Sequence, residues 1–262
     1  MTPFHHLLAS LTFDGTGQWR VNASDDWRQG RTIYGGLSAA MCHAACEAML
    51  ADLPPLRSAQ IAFIGPAAGE AVLLPSVLRQ GKSVRYLNCD LMADGALATR
   101  ALFAFGGARD SAFHLDAGAA PAVPRPEMCA DFFGERHPAF AAHFEMRLAG
   151  GDRPVTGAQS GELLVWVRHR DAHAPAGLTS LLAMADALPP ASITRFAAPA
   201  AISSMTWQVD MVDAARYQPQ QWVLMQAKDE AVQHGYSGQT MRMWDSMGAP
   251  ILVGRQCVAI FA

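Results

Sequence analysis

The same order of structural signals occurs twice along the 262-residue chain, and this repetition restricts the fold more than any other feature. In the first half, Gly35-Gly36 opens a run of small residues with apolar positions at helical spacing, and Pro54-Pro55 ends it. In the second half, Gly177 opens a similar run, which we expect to be helical until Pro189-Pro190. Extended runs follow each predicted helix, at residues 57–65, 71–79, 84–92 and 97–106 and again at 202–212 and 221–228.

Hairpin signals also recur, with Asp94-Gly95 in the first half matched by Met247-Gly248 in the second. Each half therefore contains one helix rich in small residues and four or five antiparallel strands. Such a helix is thin, so a curved sheet can wrap closely around it. We predict an α+β double hot-dog, in which each of two tandem repeats is an antiparallel sheet around one central helix. The alternative is an α+β sandwich whose halves resemble each other by chance.

A segment rich in proline lies between the two halves and lacks sustained periodicity. It spans residues 108–139 and is predicted to be a connector. Residues 1–107 then form the N-terminal repeat and residues 140–262 the C-terminal repeat. The phenylalanines near the end of the connector suggest that this part packs against the rest of the chain.

Composition excludes several classes of function. The chain has 20 basic and 23 acidic residues, a net charge of −3, so we expect neither a nucleic acid nor an anionic membrane as partner. An apolar fraction of 51% argues against disorder. The uncharged runs at 32–46 and 196–209 are too short to cross a membrane.

The cysteines and the first residues bear on the compartment. Five cysteines form an odd set without zinc-ligand spacing, so we expect buried free thiols rather than a metal site. Residues 1–14 contain no Lys or Arg before the apolar stretch, unlike the charged start of a signal peptide. Both observations predict a cytoplasmic protein.

Two histidine motifs could suggest ligands or acid–base pairs. His169, Asp171 and His173 alternate at the end of a predicted strand, where we expect a solvated loop. His43 and Glu47 are one helical turn apart and are expected to form a surface pair. Neither motif predicts a metal site.

The second repeat carries polar residues where the first carries apolar ones. Counted from the glycine that opens each helix, Asp186 corresponds to Ala45. Counted from each hairpin glycine, Gln256 corresponds to Phe103. Hydroxyl groups are added by Ser203-Ser204 in the extended run between them. Burial of a carboxylate is costly, so these residues are either catalytic or satisfied core polar groups that fix strand register.

These residues belong to a longer ordered set. In the first half it comprises Tyr34-Gly35-Gly36, Arg57-Ser58, Arg79-x-Gly81-Lys82-Ser83 and Phe103-Ala104-Phe105, and in the second half Ala185-Asp186, Ser204-Met205-Thr206 and Gln256. The set resembles the type II acyl-CoA thioesterases (TesB-like) and the wider thioesterase-like double hot-dog superfamily. The resemblance covers most of the chain apart from the connector and rests on the order of short motifs.

The resemblance implies hydrolysis of an acyl-CoA thioester. It places Asp186 as the base or water-orienting group, with Gln256 and Ser204 binding the attacking water. The backbone N–H groups of Gly35 and Gly36 are implied to bind the acyl-CoA carbonyl oxygen. No cofactor or metal is implied.

The sequence departs from the family at two places. The hydroxyl residue is Ser204 instead of threonine, so Ser203 and Thr206 remain alternatives. The second helix continues as Ala187-Leu188-Pro189-Pro190, so no acyl-chain preference is carried over. A non-catalytic acyl-CoA or lipid-binding protein is one alternative function. A hot-dog hydratase or dehydratase is another, although the second helix contains no histidine. Edge strands of such sheets often pair, so a homodimer or larger homo-oligomer is expected.

Overall fold

The computed structural model describes residues 1–115, 117–135 and 137–261. Asp116, Arg136 and Ala262 lie outside the described residues, so the segment 108–139 and the repeat 140–262 are each described in part.

Within the described residues, the chain forms three α-helices and fourteen strands. The helices are α1 (Phe4–Ala9), α2 (Gly35–Met49) and α3 (Leu178–Ala185). The strands are β1 (Thr12–Phe13), β2 (Trp19–Ala23), β3 (Arg28–Gln29), β4 (Thr32–Ile33), β5 (Leu56–Phe63), β6 (Gly69–Gln80), β7 (Val84–Ala93), β8 (Ala96–Gly106), β9 (Phe144–Gly151), β10 (Glu162–His169), β11 (Ala201–Met211), β12 (Val223–Gln233), β13 (Tyr236–Trp244) and β14 (Pro250–Phe261). Short 3₁₀ turns occur at Asp25–Trp27, Pro126–Met128, Ala139–His143, Ala191–Arg195 and Ala214–Arg216.

Twelve of these strands form one antiparallel sheet with the order β1-β2-β6-β7-β8-β5-β11-β14-β13-β12-β10-β9. The order reads the same from either edge when each strand is replaced by its counterpart in the other half. β5 pairs with β11 at the centre, with Ala59 opposite Val209. The tandem repeat and the double hot-dog are therefore confirmed.

The two longer helices lie together inside the wrapped sheet and run antiparallel. Gly36 at the start of α2 approaches Ala183 near the end of α3, whereas His43 two turns later contacts Thr179 at the start of α3. Small residues allow this close approach, and Ala39 and Ala40 of α2 are fully buried. Both helices are thus core elements.

The predicted hairpin at Asp94-Gly95 joins β7 to β8. Both residues have positive φ angles, 50° and 75°, as a type I′ turn requires. Such turns match the right-handed twist of the strands that they connect, and they fix the register that brings inward-facing residues onto the helices.

One prediction about α3 is wrong. The helix was expected to continue to Pro189-Pro190 and to hold Asp186 in a late turn, but it ends at Ala185 and Asp186 is its C-cap residue. A proline ring inside a helix clashes with the carbonyl group four residues earlier. Pro189 and Pro190 therefore disfavour helical structure beyond Ala185.

Two histidines that were expected to be exposed are buried. The predicted pair of His43 and Glu47 does form, with His43 Nδ1 3.4 Å from Glu47 Oε2. His43 is fully buried, and its Nδ1 lies 2.8 Å from Thr179 Oγ1, so it is not a surface residue. His169 is buried as well, with Nε2 3.0 Å from the carbonyl oxygen of Ser180. Burial lowers the pKa of His169 to about 4. In both cases inter-element packing, which sequence spacing does not show, decides the environment.

The cysteines are free thiols, and Cys42, Cys46 and Cys89 are buried as expected, whereas Cys129 and Cys257 are half-buried. Within the described residues, no three His, Cys, Asp or Glu side chains are grouped so that they could hold a metal ion. None of the helices in 1–115, 117–135 and 137–261 combines the length and apolar character needed to cross a membrane.

Candidate functional site

Asp186 and Gln256 meet in the interior of the second repeat. Asp186 follows α3 directly, and Gln256 lies on the inward face of β14. Gln256 Nε2 donates a hydrogen bond of 3.0 Å to Asp186 Oδ1. The two side chains are 8% and 4% exposed, so the pair is shielded from solvent but not sealed.

Burial changes the acid strength of Asp186. It raises the pKa of the carboxyl group to about 7, although hydrogen bonds from Gln256 and from the backbone N–H of Gly36 pull the pKa in the opposite direction. A carboxylate that titrates near neutral pH can accept a proton from water and later return it. Its chemistry thus differs from that of an exposed aspartate.

A second glutamine extends this polar contact. Gln239 on β13 lies opposite Gln256, and its Nε2 donates to Gln256 Oε1 at 2.8 Å. Its own Oε1 accepts a hydrogen bond of 2.7 Å from the backbone N–H of Ala191. The chain Ala191–Gln239–Gln256–Asp186 therefore fixes the orientation of both amides and of the carboxylate.

Gln239 was not predicted from the sequence, although its contrast with the first repeat is a signal for it. Register places Gln239 opposite Gln256 and, in the first repeat, Leu87 opposite Phe103. Gln239 is therefore polar where its counterpart is apolar, which is the same contrast that selected Gln256. Counting an equal number of residues from the preceding turn does not align Gln239 with Leu87, so the correspondence appears only in the strand register.

The start of α2 forms the other side of the site. Gly35 approaches the carboxylate so closely that a Cβ atom there would lie 2.6 Å from Asp186 Oδ2. The first N–H groups of a helix have no partner within the helix and favour negative charge. The carboxylate thus faces the positive end of a 15-residue helix.

Two cavities meet at Asp186. We call the first the polar cavity: it has a volume of about 300 Å³, and its polar lining comes from Gln29, Arg31, Thr32, Ser38, Thr99 and Ser203. The second, the apolar cavity, has about 150 Å³ and is lined by Phe133, Phe140, Leu188, Ile193 and several prolines. Asp186 and Ser204 line both cavities, so a ligand that occupies both would pass directly over the carboxylate.

The three hydroxyl candidates on β11 differ in the cavities that they line. Ser204 lines both cavities, Ser203 lines the polar cavity, and Thr206 lines a separate groove with Gln60 and Arg255. A β-bulge at Met205 shifts the register between Ser204 and Thr206. Because a bulge reverses which residues face inward, Thr206 lies on the opposite face from Ser204. Ser204 and Asp186 therefore line the same two cavities, whereas Thr206 lines neither of them.

Both halves of the chain match models of known protein families. Residues 23–106 match the acyl-CoA thioesterase N-terminal domain, and residues 117–260 match the acyl-CoA thioesterase C-terminal domain. The chain belongs to the acyl-CoA thioesterase family. The resemblance read from the short motifs is thereby confirmed.

Solved structures share the same architecture. A conserved protein of unknown function with a hot-dog fold from Alicyclobacillus acidocaldarius has a TM-score of 0.87 at 23% identity, covering 100% of this chain and 99% of that one. Acyl-CoA thioesterase II TesB2 from Mycobacterium marinum has a TM-score of 0.77 at 16% identity, covering 97% of both chains. At such identities the likeness concerns the fold. None of the curated proteins matches the chain.

In this acyl-CoA thioesterase fold, the site combines a group that can accept a proton, amides that orient it and a helix start that favours negative charge. Asp186, Ser204 and Gln256 all come from the second half of the chain, whereas Gly35 and Gly36 come from the first. Hydrolysis of a thioester uses these elements, because water must lose a proton while negative charge develops on the carbonyl oxygen.

Proposed function

We propose that the protein hydrolyses an acyl-CoA thioester to a free acid and CoA, with Asp186 as the general base. The observation that carries the proposal is the position of this buried carboxyl group at the junction of two cavities, with its Oδ1 held by Gln256. Membership of the acyl-CoA thioesterase family supplies the reaction class. Residues 1–107 and 140–262 are proposed as the two repeats and 108–139 as the connector.

In the proposed reaction, Asp186 removes a proton from a water molecule while the water oxygen attacks the thioester carbonyl carbon. The new C–O bond gives a tetrahedral oxyanion, and its collapse breaks the C–S bond. Asp186 then returns the proton to the departing thiolate, which restores the carboxylate and gives free thiol. Ser204 and the second N–H of the Gln256 amide bind the attacking water. No covalent acyl-enzyme, metal or cofactor takes part in this sequence.

The start of α2 is proposed to stabilise the oxyanion. Gly36 N–H already contacts the Asp186 carboxyl group, and we therefore assign it to positioning the base. Gly35 lines the polar cavity, and its backbone N–H is assigned to the developing oxyanion. Backbone donors at a helix start are preorganised for this role, and removal of one such donor costs on the order of 10²-fold or more in kcat.

The polar cavity is proposed to hold the CoA side of the substrate. Arg31 is exposed at this cavity, in the turn between β3 and β4, where its guanidinium can pair with phosphate. A cytoplasmic location and a homodimer or larger homo-oligomer also stay predictions, the latter because β1 and β9 are edge strands.

The alternative functions differ in what they require. A hydratase or dehydratase of this fold needs a catalytic histidine, and no histidine is among the described residues lining the two cavities. A binding protein without turnover would use the same cavities. Thiol release from short, long and aromatic acyl-CoAs, measured with a thiol reagent, distinguishes a thioesterase from a binding protein. Repeated turnover supports hydrolysis, whereas binding without release supports the binding protein.

The pH dependence of hydrolysis follows from the environment of Asp186. Only the ionised carboxylate accepts a proton, and burial raises its pKa to about 7. We expect kcat, corrected for spontaneous hydrolysis, to rise about tenfold per pH unit below pH 7 and to level off above it. A rate that stays level down to pH 5 would assign the base role elsewhere.

Gln239 is expected to act as a positioning residue. Substitution of Gln239 by leucine, the residue of its counterpart Leu87, removes the partners of Gln256 Oε1 and of the Ala191 N–H. We expect kcat to fall roughly 10- to 100-fold with little change in KM, and stability to fall by about 1–3 kcal/mol. Gln233→Leu, at an exposed position of the same hairpin, serves as the control. Equal kcat values in the two variants would show that Gln239 has no role in orienting Gln256.

A further inference from the structure

The apolar cavity has a size and lining that restrict the acyl group, provided that the proposed hydrolysis takes place at Asp186. Its volume is about 150 Å³. A cavity of this size lined by Leu, Ile and Phe binds benzene in another protein. A palmitoyl chain contains more than twice as many carbon atoms as a benzene ring, so this space cannot enclose it.

The walls of the apolar cavity are stiff. Four of its lining residues are prolines, whose rings fix the backbone φ angle: Pro138, Pro154, Pro189 and Pro190. Backbone hydrogen bonds hold part of this wall as well, since Ile193 N–H donates to the Pro190 oxygen at 3.0 Å and Val155 N–H to the Ile193 oxygen at 2.9 Å. Lengthening the cavity on this side would break these contacts.

The wall formed by the connector is anchored in the same manner. Arg153 donates hydrogen bonds to the carbonyl oxygens of Phe132 (2.6 Å) and Asp131 (2.8 Å). The Phe132 N–H donates to the Met146 oxygen at 2.9 Å, and the Phe132 side chain is 1% exposed. Phe133, which lines the cavity, follows this anchor directly and packs against the Phe132 ring with centroids 4.7 Å apart.

The lining also restricts the charge of the acyl group. Among the described residues of the apolar cavity, Asp186 is the single ionisable side chain, and it is negative when it acts as a base. A second carboxylate placed there would lose its hydration and face a like charge without a cation to pair with. An uncharged hydrocarbon group meets neither cost.

We propose that the protein selects thioesters of compact, uncharged acyl groups, up to the size of a single aromatic ring or a short branched chain. The acyl group occupies the apolar cavity and the CoA moiety extends through the polar cavity, so the thioester carbonyl lies beside Asp186 and Ser204. Selection results from the small volume of the cavity, which its stiff walls maintain, and from its lack of a cationic side chain among the described residues.

The test compares kcat/KM for four acyl-CoAs on the full-length protein. Benzoyl-CoA and palmitoyl-CoA differ in length, whereas isovaleryl-CoA and succinyl-CoA are both compact and differ in charge. We expect benzoyl-CoA to exceed palmitoyl-CoA, and isovaleryl-CoA to exceed succinyl-CoA, by at least about tenfold. Values for palmitoyl-CoA or succinyl-CoA equal to or above those of their counterparts would overturn the proposal while leaving hydrolysis intact. Absence of release from all four would instead contradict the proposed hydrolysis.

Two variants test whether the cavity walls cause the selection. Phe133→Ala and Ile193→Ala each shorten a side chain that lines the apolar cavity, one in the connector and one after α3. Either variant, if folded, is expected to raise the ratio of palmitoyl-CoA to benzoyl-CoA turnover at least about tenfold. Phe113→Ala, at a connector position that is 90% exposed, is the matched control and should leave this ratio unchanged. An unchanged ratio in both cavity variants would show that selection lies outside this cavity.

Discussion

Substitution of Asp186 by asparagine is expected to lower kcat for acyl-CoA hydrolysis by about 10²–10⁴-fold. Asparagine has nearly the same shape and can still accept the hydrogen bond from Gln256 through its amide oxygen. It cannot remove a proton from water, so the chemical step loses its base. Binding of the thioester does not depend on that step, and we expect KM to change little.

Stability measurements show whether this variant keeps its fold. The pKa of Asp186 is about 7 in the folded chain and 3.8 without burial, so the folded state binds more protons between these values. Wild-type stability should therefore fall as pH rises from about 4 to about 7, in total by about 4 kcal/mol, and remain lower above pH 7. Asp186→Asn lacks this loss and should be at least as stable as wild type at pH 7 or above.

Asp110→Asn removes a carboxylate from an exposed position in the connector and should leave kcat unchanged. If Asp186→Asn retained wild-type kcat in a folded protein, the buried carboxylate would be a structural polar group that fixes packing, and the proposed mechanism would be wrong.

Gly36→Ala is expected to reduce stability by about 3 kcal/mol, which lowers Tm by roughly 6–12 °C for a chain of this size. A Cβ atom at this position would lie 2.7 Å from the backbone oxygen of Ala183 and 2.5 Å from the Tyr34 hydroxyl oxygen. The backbone oxygen belongs to α3 and cannot rotate away, so α2 and α3 must separate. Tyr34 cannot yield easily either, because its ring is buried and stacks on Phe140 at 4.0 Å.

The sign of this change distinguishes packing from helix propensity. Alanine is favoured over glycine inside helices by up to about 1 kcal/mol, so propensity alone predicts stabilisation. Gly107→Ala, where no atom would lie within 4 Å of the new Cβ, provides the control and should change Tm little. A Tm for Gly36→Ala equal to or above that of wild type would mean that the two helices are not packed as closely as described here.

Much of the fold could be predicted because the order of one helix and several strands occurs twice in the sequence. The Asp94-Gly95 turn and the repeated order of helix and strands were sufficient to predict two wrapped helices. Comparing the repeats also selected Asp186 and Gln256, since a polar residue opposite an apolar counterpart is visible without coordinates. The hydrogen bond between them joins positions 70 residues apart and was not deducible from the sequence, because it depends on how β14 packs beside the end of α3.

The remaining features depend on contacts between elements. Gln239 became visible only through the strand register that aligns it with Leu87. The bulge at Met205, which turns Thr206 away from Asp186, depends on how β11 pairs with β14. His43 is polar and lies one helical turn from the charged Glu47, which predicts exposure. It is nevertheless covered by α3, where Thr179 contacts it. Local pattern predicts elements, whereas tertiary packing decides which polar groups they enclose.

The claim that the buried carboxylate of Asp186 drives water attack on a thioester is tested most directly by a single-turnover measurement. Wild-type protein and Asp186→Asn are each mixed in excess with benzoyl-CoA or isovaleryl-CoA, and thiol release is followed below and above pH 7. We expect wild type to release one equivalent of CoA, and to do so faster above pH 7 than below it. The variant is expected to bind the thioester but to release CoA at least about 10²-fold more slowly. Equal release by the two proteins, or binding by wild type without any release, would contradict the claim.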